Sequence, residues 1–285
     1  MTTTFPLGPF TVRRIGFGAM QLPGPGVMGP PRDHDQAITV LRRAVELGVD
    51  HIDTAQFYGP KVANELIREA LYPYPDNLAL VSKVGARRNE AGHWLAAQQP
   101  DDLRADIEAN LATLGTDRLA AVNLRIHSGD PSSVGAVDRE LFDRQLTAMI
   151  AARDEGLIGG IGLSSASVDH LRIALDRTEI VTVQNAYNVL DRSSQPVLDL
   201  CAEHGISFVP FFPLGSGFIP DNPVLGNDAV KRTAAHLGYT PAQIVLAWTL
   251  AVAPNVLLIP GTSSVAHLEE NLAIADIELP AEFTV

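Results

Sequence analysis

A single cysteine in 285 residues rules out an intrachain disulfide and a cysteine-based zinc site. Cys201 lies in the helix-like run PVLDLCAEHG and reads as a small buried hydrophobe rather than a nucleophile. Basic residues are scarce too: 21 Lys and Arg stand against 33 Asp and Glu, a formal net charge of -12. Such an acidic surface repels phosphate backbones, so nucleic acid is set aside as a partner, although a local basic pocket for one small anion remains compatible. The eight histidines are scattered, with no H-x-H or H-E-x-x-H pair, and no metal site is expected. The opening MTTTFPLGPFTVRR lacks the charged-then-apolar order of a secretory signal. The longest apolar stretch, IVLAWTLAVAPNVLLIP, is interrupted at Pro254 and Asn255 and falls short of the ~20 residues that span a bilayer. A cytoplasmic protein with no membrane partner is expected.

What is present is apolar: 46% hydrophobic against 19% charged residues supplies a sizeable core. Short β-rich runs alternate with helical patterns. The strands fall at 13–20, 49–55, 78–84, 119–127, 159–165, 180–188, 206–214 and 256–263. Each is followed by helical periodicity, and several helices stop at a glycine, among them Gly48, Gly115, Gly156, Gly205 and Gly238. Runs such as LALVSKV lack polar alternation, as strands buried on both faces do. Eight strand–helix units at this length predict an α/β fold, a closed (β/α)8 TIM barrel. No linker or shift in composition divides residues 1–285, so a single domain is expected.

Two motifs mislead. Gly24–Gly29 matches G-x-G-x-x-G, but Pro30 and Pro31 follow where a dinucleotide fingerprint needs a helix to open. A rigid loop over the barrel mouth fits it better. The run Gly162-Leu163-Ser164-Ser165-Ala166 approximates a nucleophile elbow, so a serine hydrolase using Ser164 is one alternative. Its candidate histidines, His204, His236 and His267, sit in helical patterns, and helix capping explains the serines equally well.

In such barrels the chemistry sits at the C-terminal strand ends. Asp53 and Tyr58 follow the second strand, Lys83 lies in the third, His127 closes the fourth, and Gln184 and Asn185 lie in the sixth. A free tyrosine, with a pKa of ~10, is a poor proton donor at neutral pH. A lysine cation beside it is expected to lower that value by roughly 1–3. Asp53 would hold Lys83 in place, Tyr58 would donate a proton, and His127 would orient a carbonyl oxygen. This set suits reduction of a carbonyl, but none of these side chains supplies a hydride, so a redox cofactor is required.

The blocks GVDHIDTA with FYG, VSK, IH, IGLS, VQN, PLGSG and IPGTSS running to Glu270-Asn271 resemble, in order, those of the aldo-keto reductase family. The run GAMQLPGPGVMGPPRDHDQAI is further similar to a bacterial branch linked to small aldehydes, pyridoxal-type compounds among them. The resemblance implies a catalytic tetrad at Asp53, Tyr58, Lys83 and His127. It implies a nicotinamide carboxamide held by Ser164 and Gln184 and a ring stacked on Phe211. Pro213, Leu214, Gly215 and Ser216 would approach the pyrophosphate. Gly261, Thr262, Ser263 and His267 would hold the adenosine phosphate, with Glu270 and Asn271 facing the adenine. Trp94, in the long third loop, is a candidate substrate contact.

Three departures qualify this. Ser165 replaces a common Asn, Gly261 and His267 replace common cations near the 2′-phosphate, and little chain follows the last helix. NADP(H) is the expected cofactor with NAD(H) as its alternative, and a small carbonyl compound the expected partner. The expected activity is NADPH-dependent reduction of aldehydes. A nucleotide-binding regulatory subunit of the same fold is the other alternative.

Overall fold

The absence of polar alternation in LALVSKV has a direct cause in the computed structural model, where residues 78–84 are buried throughout. Residues 3–126, 136–215, 221–280 and 283 are described. The chain opens with a hairpin of β1 (Thr4–Leu7) and β2 (Phe10–Arg13), which sequence patterning did not anticipate. A parallel sheet then grows in chain order: β3 (Phe17–Gly18), β4 (His51–Asp53) and β5 (Ala79–Val84). A small antiparallel pair, β6 (Ala86–Arg88) and β7 (Trp94–Ala96), rises from the third loop. The sheet continues with β8 (Ala121–Arg125), β9 (Ile161–Ser164), β10 (Thr182–Ala186) and β11 (Ser207–Phe211).

The eighth expected strand is irregular. Residues 256–258 touch their neighbours through single parallel bridges, Val256 to Phe208 and Leu258 to Ile15. Leu257 N donates to Phe208 O at 2.9 Å, and Gly16 N to Leu258 O at 2.8 Å. Pro260, just beyond, has no N–H with which to prolong a ladder. This segment still bridges β11 and β3, so the curled sheet closes as the eighth stave of a (β/α)8 barrel. Arg14 pins the closure from below. Its buried guanidinium donates to the carbonyls of Leu250, Ala253 and Val256.

Ten helices lie outside the sheet among the described residues: α1 (His34–Glu46), α2 (Val62–Leu71), α3 (Pro100–Leu114), α4 (Arg139–Asp154), α5 (Val168–Leu175), α6 (Gln195–Glu203), α7 (Pro223–Gly226), α8 (Asp228–Leu237), α9 (Pro241–Ala251) and α10 (Val265–Leu272). Their starts are written in the sequence. Asp33 accepts from Gln36 N at 2.9 Å, Asp138 from Leu141 N at 3.0 Å and Thr240 from Gln243 N at 3.2 Å. Each such cap contributes about 1 kcal/mol. Gly115 and Gly238 end α3 and α8 in the left-handed conformation, with φ of 70° and 76°.

The β1–β2 hairpin plugs the N-terminal end of the barrel. Leu7 and Val12 pack with Ala79, Val81, Ala121, Val209 and Leu257, and both oxygens of Asp50 accept from Arg13 N at 3.0 Å. The other end therefore carries the open mouth. No described helix is long and apolar enough to cross a membrane. Cys201 is fully buried, and burial pushes its thiol up to about 12.

Candidate active site

Strand register sets the functional side chains in a ring. Asp53 ends β4, Lys83 precedes the last residue of β5, and Arg125, Ser164 and Gln184 stand level on three successive strands. Tyr58 comes from the loop after β4, held by Tyr58 N to Ala55 O at 3.0 Å and Ala63 N to Tyr58 O at 3.1 Å. The glycine-rich segment Gly24–Gly29 buttresses this loop: Gly59 N donates to Val27 O at 3.1 Å, and Gly29 N to Gly59 O at 3.0 Å. It opens no helix for a phosphate.

At the centre Lys83 Nζ is ion-paired with Asp53 Oδ1 and donates to Thr54 O at 3.1 Å. The second oxygen of Asp53 accepts from Gln184 Nε2 at 2.6 Å. Lys83 Nζ lies 5.1 Å from the centre of the Tyr58 ring. Behind this trio runs a polar network that sequence inspection missed, because isolated asparagines in helices read as surface. Thr54 Oγ1 donates to Asn64 Oδ1 at 2.7 Å, Asn64 Nδ2 to Asn110 Oδ1 at 2.9 Å, and Ser82 Oγ to that same oxygen at 2.6 Å. It ties β4, α2, β5 and α3 together behind the ion pair.

The electrostatics correct one expectation. Burial raises the Tyr58 pKa above that of an ordinary phenol, and although Lys83 opposes the shift, Asp53 adds to it. Burial is the largest cause, and because Lys83 is already paired with Asp53 its opposing pull toward a phenolate is partly cancelled. Burial, the largest influence on Lys83, would lower its own pKa. Asp53 and Tyr58 together overcome it, leaving the ammonium more firmly protonated than a free lysine.

These groups line a cavity of about 180 Å³ at the mouth of the barrel. Asp53, Tyr58, Lys83, Arg125, Ser164 and Gln184 form one part of its wall, and Phe211, Pro213, Leu214, Gly215 and Gly261 another. Arg125 was not anticipated. His127 and Ser216 lie outside the described residues. Ser164 has no hydrogen bond to a histidine among the described residues, so the hydrolase alternative gains no geometry. Trp94 does not line the cavity: it packs edge-on against Phe57 at 5.2 Å, with the guanidinium of Arg125 5.3 Å from its ring centre.

A family model for the aldo/keto reductase family matches residues 14–284. The chain belongs to the aldo/keto reductase family. It is 50% identical over 281 residues to pyridoxine 4-dehydrogenase of Escherichia coli (strain K12), covering 99% of this chain and 96% of the relative. It is 38% identical over 279 residues to an uncharacterized oxidoreductase of Schizosaccharomyces pombe, covering 98% and 87%. Among solved structures, an aldo/keto reductase from Klebsiella pneumoniae in complex with NADP and acetate is similar with a TM-score of 0.79 and 25% identity, over 99% of this chain and 93% of that one. A thermostable aldo-keto reductase bound to the inhibitor epalrestat gives 0.78 and 29%, over 98% and 96%.

In this aldo/keto reductase the remaining expected cofactor residues lie on the segment after the eighth stave and on α10. Gly261 packs backbone to backbone on the first stave, and a Cβ there would lie 2.5 Å from Gly18 O. Thr262 is buried, its Oγ1 accepting from Ser264 N at 3.0 Å, and Ser264 caps α10 through His267 N at 3.4 Å. His267 and Ser263 are exposed on that helix start, Glu270 is half-buried and Asn271 is buried. Gln184 Oε1 is buried without a hydrogen-bond partner among the described residues. An orphaned amide oxygen beside Ser164 and a helix start without acidic residues in its first turn fit a dinucleotide.

Proposed function

We propose that this chain is an NADPH-dependent reductase of small aldehydes, pyridoxal-type compounds among them, with Tyr58 as proton donor. The observation that carries this reading is the Asp53–Lys83–Tyr58 cluster lining a cavity whose wall also holds the unpartnered Gln184 oxygen. Support also comes from the name of the Escherichia coli relative, from a Klebsiella pneumoniae neighbour solved with NADPH, and from the NADP complex described above.

A bound NADPH supplies the hydride that goes to the carbonyl carbon. Ser164 and Gln184 would hold the nicotinamide amide, Gln184 through Oε1 because its Nε2 is committed to Asp53. Phe211 would wall the nicotinamide ring, Pro213, Leu214, Gly215 and Ser216 would hold the pyrophosphate, Gly261, Thr262, Ser263 and His267 would hold the adenosine phosphate, and Glu270 and Asn271 would hold the adenine. Tyr58 gives its hydroxyl proton to the carbonyl oxygen as the C–O double bond becomes an alcohol. Its raised pKa keeps that proton in place at neutral pH, and Lys83 stabilises the phenolate left behind. Asp53 keeps Lys83 charged and aimed. His127 is proposed to orient the substrate oxygen.

The test is NADPH oxidation with a panel of aldehydes including pyridoxal, beside fluorescence titration with NADPH and NADH. Reduction by the wild type and its loss in Tyr58→Phe, with NADPH binding kept, is the expected outcome. Undiminished turnover in that variant contradicts it.

A further inference from the structure

Among the described residues, every cation buried in this cavity except Arg125 is paired with an anion. Lys83 is matched by Asp53. Arg125 forms no ion pair among the described residues, its Nε is buried without a hydrogen bond, and the residue is only 9% exposed. Among the described residues the ionisable cavity wall thus holds one carboxylate against two cations, in a chain of net charge -12. Holding a largely buried guanidinium without an anion among the described residues is costly, and such groups are ordinarily paired. Trp94 steadies it by cation–π contact at 5.3 Å but does not neutralise it.

Its place argues against a role toward the dinucleotide phosphates. Arg125 ends β8, the fourth stave of the barrel, whereas Gly261 follows the eighth, directly across the mouth, and Gly215 follows the seventh. On its own side Arg125 lies in the field of Tyr58, the proposed proton donor. Any anion it binds must therefore share a cavity of about 180 Å³ with the carbonyl oxygen. On that part of the wall the phenol ring of Tyr58 offers an aromatic surface.

We propose that Arg125 is an anion receptor for the substrate, making the enzyme selective for aromatic aldehydes that carry an ionised oxygen, carboxylate or phenolate, on the ring carbon next to the formyl group. Hydride addition turns the carbonyl oxygen toward negative charge beside that substituent, and a guanidinium bound to it relieves the repulsion. Pyridoxal, with an acidic ring hydroxyl adjacent to its formyl group, belongs to this class. The inference rests on the carbonyl-reductase reading above and adds the substrate group recognised.

The experiment compares two matched pairs, 2-formylbenzoate with its methyl ester and pyridoxal with its 3-O-methyl ether, in wild type, Arg125→Met and Arg125→Lys. The ratio of kcat/KM for charged over neutral partner is expected to fall by about 10- to 100-fold in the Met variant, mainly through KM, and to recover partly in the Lys variant. Calorimetric titration of benzoate into the NADP-loaded enzyme supplies a second readout, with binding lost in Arg125→Met and retained in Arg125→Lys. Equal losses on both members of each pair, or an unchanged ratio, would overturn the proposal. If the wild type reduces none of the four aldehydes, the reductase reading fails separately. Benzoate binding then decides Arg125 alone, with unchanged affinity in the Met variant counting against it.

Discussion

Gln184 and Asp53 meet across the barrel mouth, the amide Nε2 of one donating to Oδ2 of the other at 2.6 Å over a sequence separation of 131. The contact fixes the amide, so that its oxygen is the atom left to accept from a ligand. Gln184→Leu removes both functions. NADPH affinity, measured by fluorescence titration, is expected to fall about 10-fold, within the cost of losing one buried hydrogen bond. Unchanged affinity would separate Gln184 from the cofactor.

The Asp53–Lys83 pair is buried on both sides, so its members are unequal to their sum. Asp53→Asn leaves a buried ammonium without its anion and is expected to cost about 3–5 kcal/mol of stability. Asp53→Asn combined with Lys83→Met removes the stranded charge and should regain most of that loss. Denaturant unfolding of the single and double variants checks the sign of the coupling.

Burial holds the Tyr58 proton above the ordinary phenol range, although Lys83 pulls the other way. Reduction needs the protonated phenol. Its kcat/KM should therefore stay level through neutral pH and decline only above about 10, the ordinary tyrosine value. Alcohol oxidation needs the phenolate and should climb with pH over the same range. Initial rates in both directions across pH test this, and a reductive decline tracking Tyr58 near neutrality would contradict it.

Gly261 has no room for a side chain, since a Cβ would sit 2.5 Å from the backbone oxygen of Gly18. Gly261→Ala is expected to lower stability by about 1–3 kcal/mol and to weaken NADPH binding as the rim shifts. Thermal unfolding with and without NADPH measures both.

Much of the fold was legible because its signals are local: apolar strand runs, capping residues and glycine stops. The eighth stave was legible as an apolar run, but not as an irregular one, because pairing depends on neighbours far along the chain. Asp53, Tyr58 and Lys83 were legible as polar groups at strand ends, and the structure brings them together. Arg125 was not. Residues 125 and 127 share a strand face by the period of two, so composition alone favours neither. Only the observed end of β8 at Arg125 places that side chain at the mouth. The direction of the Tyr58 shift was misjudged for a similar reason, since burial and the prior pairing of Lys83 are properties of the assembled site.

Single-turnover reduction of pyridoxal by pre-bound NADPH, in wild type and Tyr58→Phe, tests the central claim most directly. A drop in the hydride-transfer rate of about 10²- to 10⁴-fold, with NADPH affinity intact, is the expected result. An equal rate in both proteins would contradict the assignment of Tyr58 as proton donor.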